Sequence, residues 1–230
     1  MSLGLVLPLY NEEALVQEVV SDILAVLHAA KIPAQLVLVN NGSRDQTGPL
    51  IDDLATQSEV DAVHLDKNAG YGGGILAGLA ALQDLGLPEV VGWCWGDGQV
   101  PADVLAPLYR ACQKGAPLAK AVRSERHDGN WRKVVTTGYA LTMQGIGCTV
   151  PDVNGCPKLM RREAFEALAP RSKDWFLDAE VVLGAQARGW EIAHHPTVMR
   201  ARKAGKSKVH LNTMVEFAWN LLRWRAANRL

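Results

Sequence analysis

The sequence predicts an α/β protein with a mostly parallel sheet covered by helices on both faces. Two observations support this fold class. Short apolar runs alternate with segments of helical periodicity, and polar residues directly follow the apolar runs. The chain has 230 residues, 48% of them hydrophobic, which is enough for one domain with a sizeable core. We therefore expect a single domain over residues 1–230.

The first elements are predicted in the order β-α-β-α-β-α-β. The first strand spans Leu3 to Leu7 and is stopped by Pro8, and Asn11 is the expected cap of the helix that follows. That helix should lay one apolar face on the sheet, because its apolar residues recur at helical spacing. Further strands are expected at about 35–39, 60–65 and 90–95, with helices at about 47–57 and ending near 85.

The fourth strand ends in Gly96-Asp97-Gly98-Gln99, and ligands of such sheets bind beyond the carboxyl ends of strands. In an extended backbone Asp97 and Gln99 would point to the same side. Two oxygen donors on one side suit a hard divalent cation that carries a phosphate. The alternative is a glycine-rich turn in which Asp97 serves only as a turn residue.

A glycine-rich stretch, KNAGYGGG, precedes the third helix. Gly72-x-Gly74-x-x-Ala77 matches a dinucleotide-binding fingerprint, but such a fingerprint belongs after the first strand and not after the third. A Rossmann dehydrogenase is therefore disfavoured. We expect a helix N-terminus whose backbone amides either approach a nucleotide or pack closely against protein.

The overall charge excludes general attraction to nucleic acid, because the formal net charge is zero. Two local basic segments, 120–133 and 200–208, suit a ligand with several phosphates. The four cysteines form no CxxC pair, which favours reduced, mostly buried thiols in a cytosolic protein. Neither a signal peptide nor a membrane-spanning stretch is predicted, so we expect a cytoplasmic protein, with peripheral contact at the inner membrane face as an alternative.

Several stretches taken together resemble a known enzyme family. VLPLYNEE, VNNGSRDQT, KNAGYGGG and WGDGQ resemble, in order and spacing, the nucleotide-sugar domain of family 2 glycosyltransferases of GT-A fold. VPDVNGCPKLMRREAFEAL, WFLDAEVVLGAQARGWEI and ARKAGKSKV are similar to the dolichol-phosphate mannose synthase-like branch. The resemblance covers nearly the whole chain.

The resemblance implies roles for the matching residues. Those expected to bind the nucleotide sugar are Pro8, Tyr10, Glu12, Asn41, Gly96, Asp97, Gly98, Arg123, Arg202 and Lys208. Those expected to be catalytic are Asp97, Arg123, Asp152, Arg202 and Lys208. Asp97 and Gln99 are expected to hold a divalent cation, Mg²⁺ or Mn²⁺, together with the diphosphate.

Two positions depart from the family pattern. Trp95 stands where the first aspartate of the metal-binding motif is expected, so fewer anionic ligands remain and metal binding should be weaker or looser. Asn41 stands where an aspartate is expected to contact the nucleoside, and it keeps hydrogen-bonding ability without the charge. The preferred base is therefore left open.

The implied activity is inverting transfer of a hexose from a nucleotide-diphosphate sugar, of GDP-mannose or UDP-glucose type, to a polyprenyl phosphate. A phosphate acceptor needs no general base, whereas a hydroxyl acceptor does, and Asp152 or Asp178 would then be indispensable. The alternatives are a soluble enzyme that glycosylates a small hydroxyl acceptor and an inactive sugar-nucleotide-binding subunit. Residues 209–230 are predicted to form an amphipathic helix that contacts a membrane surface, the domain itself or a second subunit in a homodimer.

Overall fold

The computed structural model describes residues 1–125, 142–145, 147–200, 219–221 and 223–224. Seven strands and six longer helices are defined within these ranges. In chain order they are β1 (Leu3–Leu9), α1 (Val16–Ala29), β2 (Ala34–Asn41), α2 (Thr47–Leu54), β3 (Val60–Leu65), α3 (Tyr71–Asp84), β4 (Val90–Trp93), α4 (Leu105–Gln113), β5 (Leu118–Glu125), β6 (Lys158–Arg161), α5 (Arg162–Leu168), α6 (Leu177–Ala187) and β7 (Ile192–Val198). A short 3-10 helix, Ala102–Val104, precedes α4.

All seven strands belong to one sheet with the order β3-β2-β1-β4-β6-β5-β7. The strand β6 is antiparallel to β4 and β5, and the other neighbouring pairs are parallel. The carboxyl ends of six strands therefore lie at the same edge of the sheet, together with the amino end of β6. The predicted α/β fold with a mostly parallel sheet is confirmed.

The centre of the sheet is apolar because its strands are buried on both faces. Leu5 and Leu7 of β1 and Leu36 and Leu38 of β2 have no solvent exposure. At the junction of β4 and β6, a Cβ atom on Gly92 would lie 2.1 Å from the backbone oxygen of Lys158. Only glycine allows these two strands to approach so closely, and this approach sets Lys158 beside Trp93, its partner in the register.

The expected boundary between the first strand and helix is wrong. Pro8 lies within β1 and pairs with β2, whereas β4 pairs with β1 only as far as Val6, so the missing N–H of Pro8 is tolerated. Asn11 does not cap α1, which begins at Val16. Asn11 instead adopts a φ of 53°, and its side-chain oxygen accepts a hydrogen bond from the Arg44 backbone N–H at 2.9 Å.

Two further differences affect the ligand edge. The strand β4 ends at Trp93, and residues 94–99 do not continue it but contain a turn at residues 96–97. The strands β6 and β7 were not expected from the sequence, because neither shows a clear alternating pattern. The four cysteines are free and buried, as predicted.

Some expectations concern residues outside the described ranges. These are Arg202, Lys208 and most of the predicted helix over 209–230. Among the described residues, no helix is both long enough and apolar enough to span a lipid bilayer.

Candidate active site

The loops after β1 and β2 hold each other at the carboxyl edge of the sheet. The backbone N–H of Asn11 donates to Oγ of Ser43 at 3.1 Å, and the backbone N–H of Glu12 donates to Oγ1 of Thr47 at 2.8 Å. Thr47 in turn donates to the Asp45 carboxylate at 2.6 Å. These bonds place Glu12, a predicted nucleoside-binding residue, next to the start of α2. Pro8 lies near the carboxyl end of β1, and Tyr10 directly follows this strand.

Asn41 is buried, with 4% exposure, and its amide holds the glycine-rich loop. Its Nδ2 donates to the Gly70 backbone oxygen at 2.9 Å, and its Oδ1 accepts from the Ala69 backbone N–H at 2.9 Å. Sequence reasoning expected Asn41 to face the nucleoside base. In the structure, a contact between Asn41 and a nucleoside base would have to form in addition to these two hydrogen bonds or replace them.

The glycine-rich loop packs against protein, which is one of the two predicted alternatives. A Cβ atom on Gly72 would lie 2.2 Å from the backbone oxygen of Ser172. The backbone N–H of Gly73 donates to the Lys173 oxygen at 2.8 Å. The facing loop is itself fixed, because the carboxylate of Glu180 accepts from the Ser172 N–H at 2.9 Å. The glycines therefore allow close packing of two loops.

Asp97 and Gln99 lie in a turn, so the expected extended backbone is wrong. Gly98 has a φ of +65°, and the Asp97 carboxylate accepts a hydrogen bond from the Gln99 backbone N–H at 3.2 Å. Gln99 also pairs with Arg200: the Arg200 N–H donates to the Gln99 oxygen at 2.8 Å, and Gln99 Nε2 donates to the Arg200 oxygen at 3.3 Å. Arg200 thus lies against the predicted metal-binding turn.

Arg123 and Asp152 form an ion pair that is largely shielded from solvent, with side-chain exposures of 13% and 11%. Nε of Arg123 donates to both carboxylate oxygens, at 3.1 and 2.8 Å, and Nη2 makes a further bond to Oδ1. Burial raises the pKa of Asp152, but the hydrogen bonds and charge of Arg123 outweigh burial and lower this pKa to about 2. The two predicted catalytic residues are therefore brought together as one unit.

The loop that carries Asp152 is anchored by a buried lysine. Nζ of Lys120 donates to the backbone oxygens of Ala121, Pro151 and Asp152 at 3.2, 3.0 and 2.8 Å. Burial, followed by the charge of nearby Lys158, lowers the pKa of Lys120 to about 7. Lys120 thus holds the backbone of Asp152, while Arg123 holds its carboxylate.

A second buried network centres on Asp178, which is 2% exposed. Its Oδ1 accepts from Nζ of Lys158 at 2.7 Å and from Nε1 of Trp93 at 3.2 Å. Its Oδ2 accepts from the hydroxyl of Tyr71 at 3.0 Å, and this hydroxyl accepts from Nε1 of Trp95 at 3.1 Å. Asp178 therefore does more than compensate the dipole of α6.

Sequence reasoning singled out Asp178 but missed its partners Lys158 and Tyr71. One available signal was a lysine directly followed by the apolar pair Leu159-Met160. Burial and then the charge of Asp178 raise the pKa of Tyr71 well above its usual value, so its hydroxyl stays a donor.

The donor set at the turn after β4 fits a divalent cation only in part. Asp97 offers one carboxylate and Gln99 an amide oxygen, whereas the indole of Trp95 is a donor and cannot ligate a metal. Across the described part of the chain, no three His, Cys, Asp or Glu side chains are grouped to hold a metal ion. Mg²⁺ is commonly held by one or two carboxylates plus substrate phosphates, so the turn fits a cation that arrives with a diphosphate.

Comparison with known proteins identifies the family. The model of the family described as glycosyl transferase family 2 matches residues 5–169, which include most of β1, all of β2 to β6 and the Arg123–Asp152 ion pair. The chain belongs to glycosyl transferase family 2. This family 2 member is therefore a glycosyltransferase, as its motifs predicted.

Two curated relatives illustrate its similarity to other members. Polyprenol monophosphomannose synthase of Mycolicibacterium smegmatis is 27% identical over 239 residues, covering 98% of this chain and 87% of the relative. Undecaprenyl-phosphate 4-deoxy-4-formamido-L-arabinose transferase of Pseudomonas aeruginosa is 31% identical over 178 residues, covering 76% of this chain. This chain spans about half, 51%, of the length of that second relative.

Solved structures confirm the GT-A fold of this glycosyltransferase. Glucosyl-3-phosphoglycerate synthase of Mycobacterium tuberculosis, in complex with Mn²⁺, UDP and phosphoglyceric acid, matches 99% of this chain with a TM-score of 0.69. The match covers 78% of that protein at 18% sequence identity. A second structure of this synthase, with Mg²⁺ and UDP, matches with a TM-score of 0.68 and 19% identity.

Proposed function

We propose that this family 2 glycosyltransferase moves a hexose from a nucleotide-diphosphate sugar to a polyprenyl phosphate. The names of its relatives support this acceptor class, since one is a polyprenol monophosphomannose synthase and another acts on undecaprenyl phosphate. One structural observation carries the proposal: both carboxylates considered as a general base are bound to cationic side chains.

Neither carboxylate suits the abstraction of a proton from a hydroxyl group. Asp152 is paired with Arg123 and has a pKa lowered to about 2, so it is a very weak base. Asp178 is buried and accepts hydrogen bonds from Lys158, Trp93 and Tyr71. A phosphate acceptor is largely dianionic at neutral pH, because its second pKa is about 6, and it attacks without losing a proton.

The donor would bind at the carboxyl edge of the sheet. Tyr10 and Glu12 would contact the nucleoside, with Glu12 accepting from ribose hydroxyls, and Asp97 and Gln99 would hold the diphosphate with Mg²⁺ or Mn²⁺. A bound cation supplies positive charge against the leaving diphosphate. Arg202 and Lys208 remain predicted partners of the same diphosphate.

Transfer is tested with matched acceptors. The full chain is incubated with Mn²⁺, with GDP-mannose or UDP-glucose, and with undecaprenyl phosphate or undecaprenol, which differ only in the phosphate. Mass spectrometry should find the glycosylated product with the phosphate and not with the alcohol. Transfer to undecaprenol and not to undecaprenyl phosphate would contradict the proposal and favour a hydroxyl acceptor. If the donor bound but was neither transferred nor hydrolysed, the protein would be an inactive sugar-nucleotide-binding subunit.

Peripheral membrane contact is proposed for the C-terminal segment. Leu221 is 3% exposed and Nδ2 of Asn220 donates to Asp174 at 2.6 Å, while Trp219 is 57% exposed with the Arg223 guanidinium over its ring. One side of this segment packs on the protein and another carries an aromatic and a cation, a pattern that suits an anionic surface. Co-sedimentation with vesicles that contain anionic lipid should weaken in Trp219→Ala. If the segment instead forms a homodimer, light scattering without lipid would give the mass of two chains.

A further inference from the structure

Trp95 occupies the place of the first carboxylate in the metal-binding motif, and its side chain has two defined partners. Its Nε1 donates to the hydroxyl of Tyr71 at 3.1 Å. The guanidinium carbon of Arg123 lies 5.6 Å from the centroid of its ring. A guanidinium in this position is attracted electrostatically by the ring face.

The orientation of the Trp95 indole is fixed from within the protein. The hydroxyl of Tyr71 donates onward to Asp178 at 3.0 Å, and Lys158 holds that carboxylate at 2.7 Å. The ring of Tyr71 is stacked on Trp175, with centroids 4.4 Å apart and an interplanar angle of 7°. Because Tyr71 cannot turn without breaking these contacts, the indole that donates to it is held as well.

Arg123 is fixed from the opposite side. Asp152 accepts hydrogen bonds from Nε and Nη2, and also from the Arg123 backbone N–H at 2.9 Å. The guanidinium therefore lies between the Asp152 carboxylate and the Trp95 ring, with 13% of the side chain exposed. A long arginine held at both ends is a preorganised cation, which loses little freedom when an anion binds.

An aspartate at position 95 would act differently toward a cation. A carboxylate there would add a ligand for a divalent metal beside Asp97 and would compete with Asp152 for Arg123. The indole of Trp95 cannot ligate a metal, and it attracts the guanidinium of Arg123 through its ring face without competing as a carboxylate would. Trp95 in this place therefore offers one metal ligand fewer and holds the Arg123 guanidinium over its ring.

We propose that Trp95 is a positioning residue that fixes Arg123 beside the diphosphate site, so that this arginine supplies part of the positive charge usually supplied by a metal. The inference rests on the proposed function, because it assumes a nucleoside diphosphate in this site. Its consequence is diphosphate binding and sugar transfer that persist when divalent metal is removed.

The experiment compares the wild type with Trp95→Asp, Trp95→Phe, Trp95→Leu and Arg123→Gln. Calorimetry measures the affinity for GDP and for UDP, first with Mn²⁺ and then with EDTA, and transfer to undecaprenyl phosphate is followed under the same conditions. Circular dichroism and thermal unfolding confirm that each variant is folded. Phe keeps an aromatic face under Arg123 and Leu removes it, so this pair tests the inference even if the Asp variant does not fold.

We expect the wild-type affinity to fall less than about tenfold in EDTA. For Trp95→Leu and Arg123→Gln, the nucleotide affinity should fall at least tenfold when EDTA replaces Mn²⁺, and for Trp95→Phe it should fall less. Trp95→Asp should bind the nucleotide tightly only with Mn²⁺. A wild type that binds and transfers with Mn²⁺ but loses both in EDTA would overturn the inference alone, as would equal behaviour of Phe and Leu. A wild type that binds neither nucleotide with Mn²⁺ would overturn the proposed function as well.

Discussion

Nζ of Lys158 lies 2.7 Å from Oδ1 of Asp178, and the two side chains are 0% and 2% exposed. Lys158 also donates to the Gly155 backbone oxygen at 2.7 Å, while Asp178 accepts from Trp93 and Tyr71. The pair thus connects β6 to the first turn of α6 and to β4 through groups that are all hydrogen-bonded. Such a pair contributes little net stability relative to apolar residues, but the loss of one partner leaves a buried charge unpaired.

Replacement of one partner should therefore be strongly destabilising. We expect Lys158→Met to lower the free energy of unfolding by about 3–5 kcal/mol, because the Asp178 carboxylate stays buried without its cation. Urea denaturation at pH 7 measures this change. Glu163→Gln is the matched control: it breaks the Arg161–Glu163 pair, whose side chains are 40% and 70% exposed, and should cost less than about 1 kcal/mol. Equal effects would contradict the assigned importance of the buried network.

Asp152→Asn tests the choice of acceptor. If the acceptor is a polyprenyl phosphate, Asp152 only positions Arg123, and the variant should keep appreciable activity, within about tenfold of the wild type. The measurement is kcat with undecaprenyl phosphate and a saturating donor. A loss of several orders of magnitude would contradict a purely positioning role of this carboxylate.

The Arg123–Asp152 ion pair should make the stability of the protein depend on pH in the acid range. The pKa of Asp152 is lowered in the folded protein from 3.8 to about 2, so its contribution is complete above pH 4 and is lost as the pH falls through 2. At neutral pH this contribution is about 2–3 kcal/mol. The difference in unfolding free energy between wild type and Asp152→Asn should shrink steadily as the pH falls from about 4 to about 2. A difference that does not change with pH would argue against a depressed pKa.

Asn41→Asp should destabilise the glycine-rich loop. A carboxylate can accept from the Ala69 N–H but cannot donate to the Gly70 oxygen, so two acceptors would face each other in a buried place. We expect a loss of about 1–3 kcal/mol at pH 7 and a smaller loss at pH 4, where the protonated carboxyl can donate. Asn40→Asp is the control, because Asn40 is half-buried and its amide faces His64, which a carboxylate can also bind. A larger effect at position 40 would contradict the role given to Asn41.

Gly72→Ala tests the packing of the two loops. The added Cβ would lie 2.2 Å from the Ser172 oxygen, and this backbone group cannot yield as a flexible side chain would. We expect a fall in the free energy of unfolding of about 1–3 kcal/mol, together with weaker nucleotide binding. Gly145→Ala is the control, since a Cβ there meets no atom within 4 Å. If nucleotide binding weakened equally in both variants, the loop contact would not explain it.

Much of the fold follows from local patterns in the sequence. The strands β1 to β4 and the helices between them were predicted because each apolar run is short and each helix has one apolar face. The ligand edge was predicted because Tyr10, Asn41 and Asp97 each follow or end a strand, and parallel strands bring these positions to the same edge. Turn residues and the spacing of apolar residues determine where strands and helices lie, because these signals act over a few neighbouring residues.

The remaining features depend on residues that are distant in the sequence. Nothing local to Asp152 indicates that Arg123 neutralises it, and nothing near Trp95 indicates that Tyr71 and Arg123 hold its ring. The antiparallel strand β6 brings Lys158 beside Trp93 and Asp178, and this pairing arises from the sheet order. The sequence alone determined which residues follow the strands that end at the ligand edge. Only the tertiary structure decided their partners, because partner choice depends on burial and on distances across the sheet.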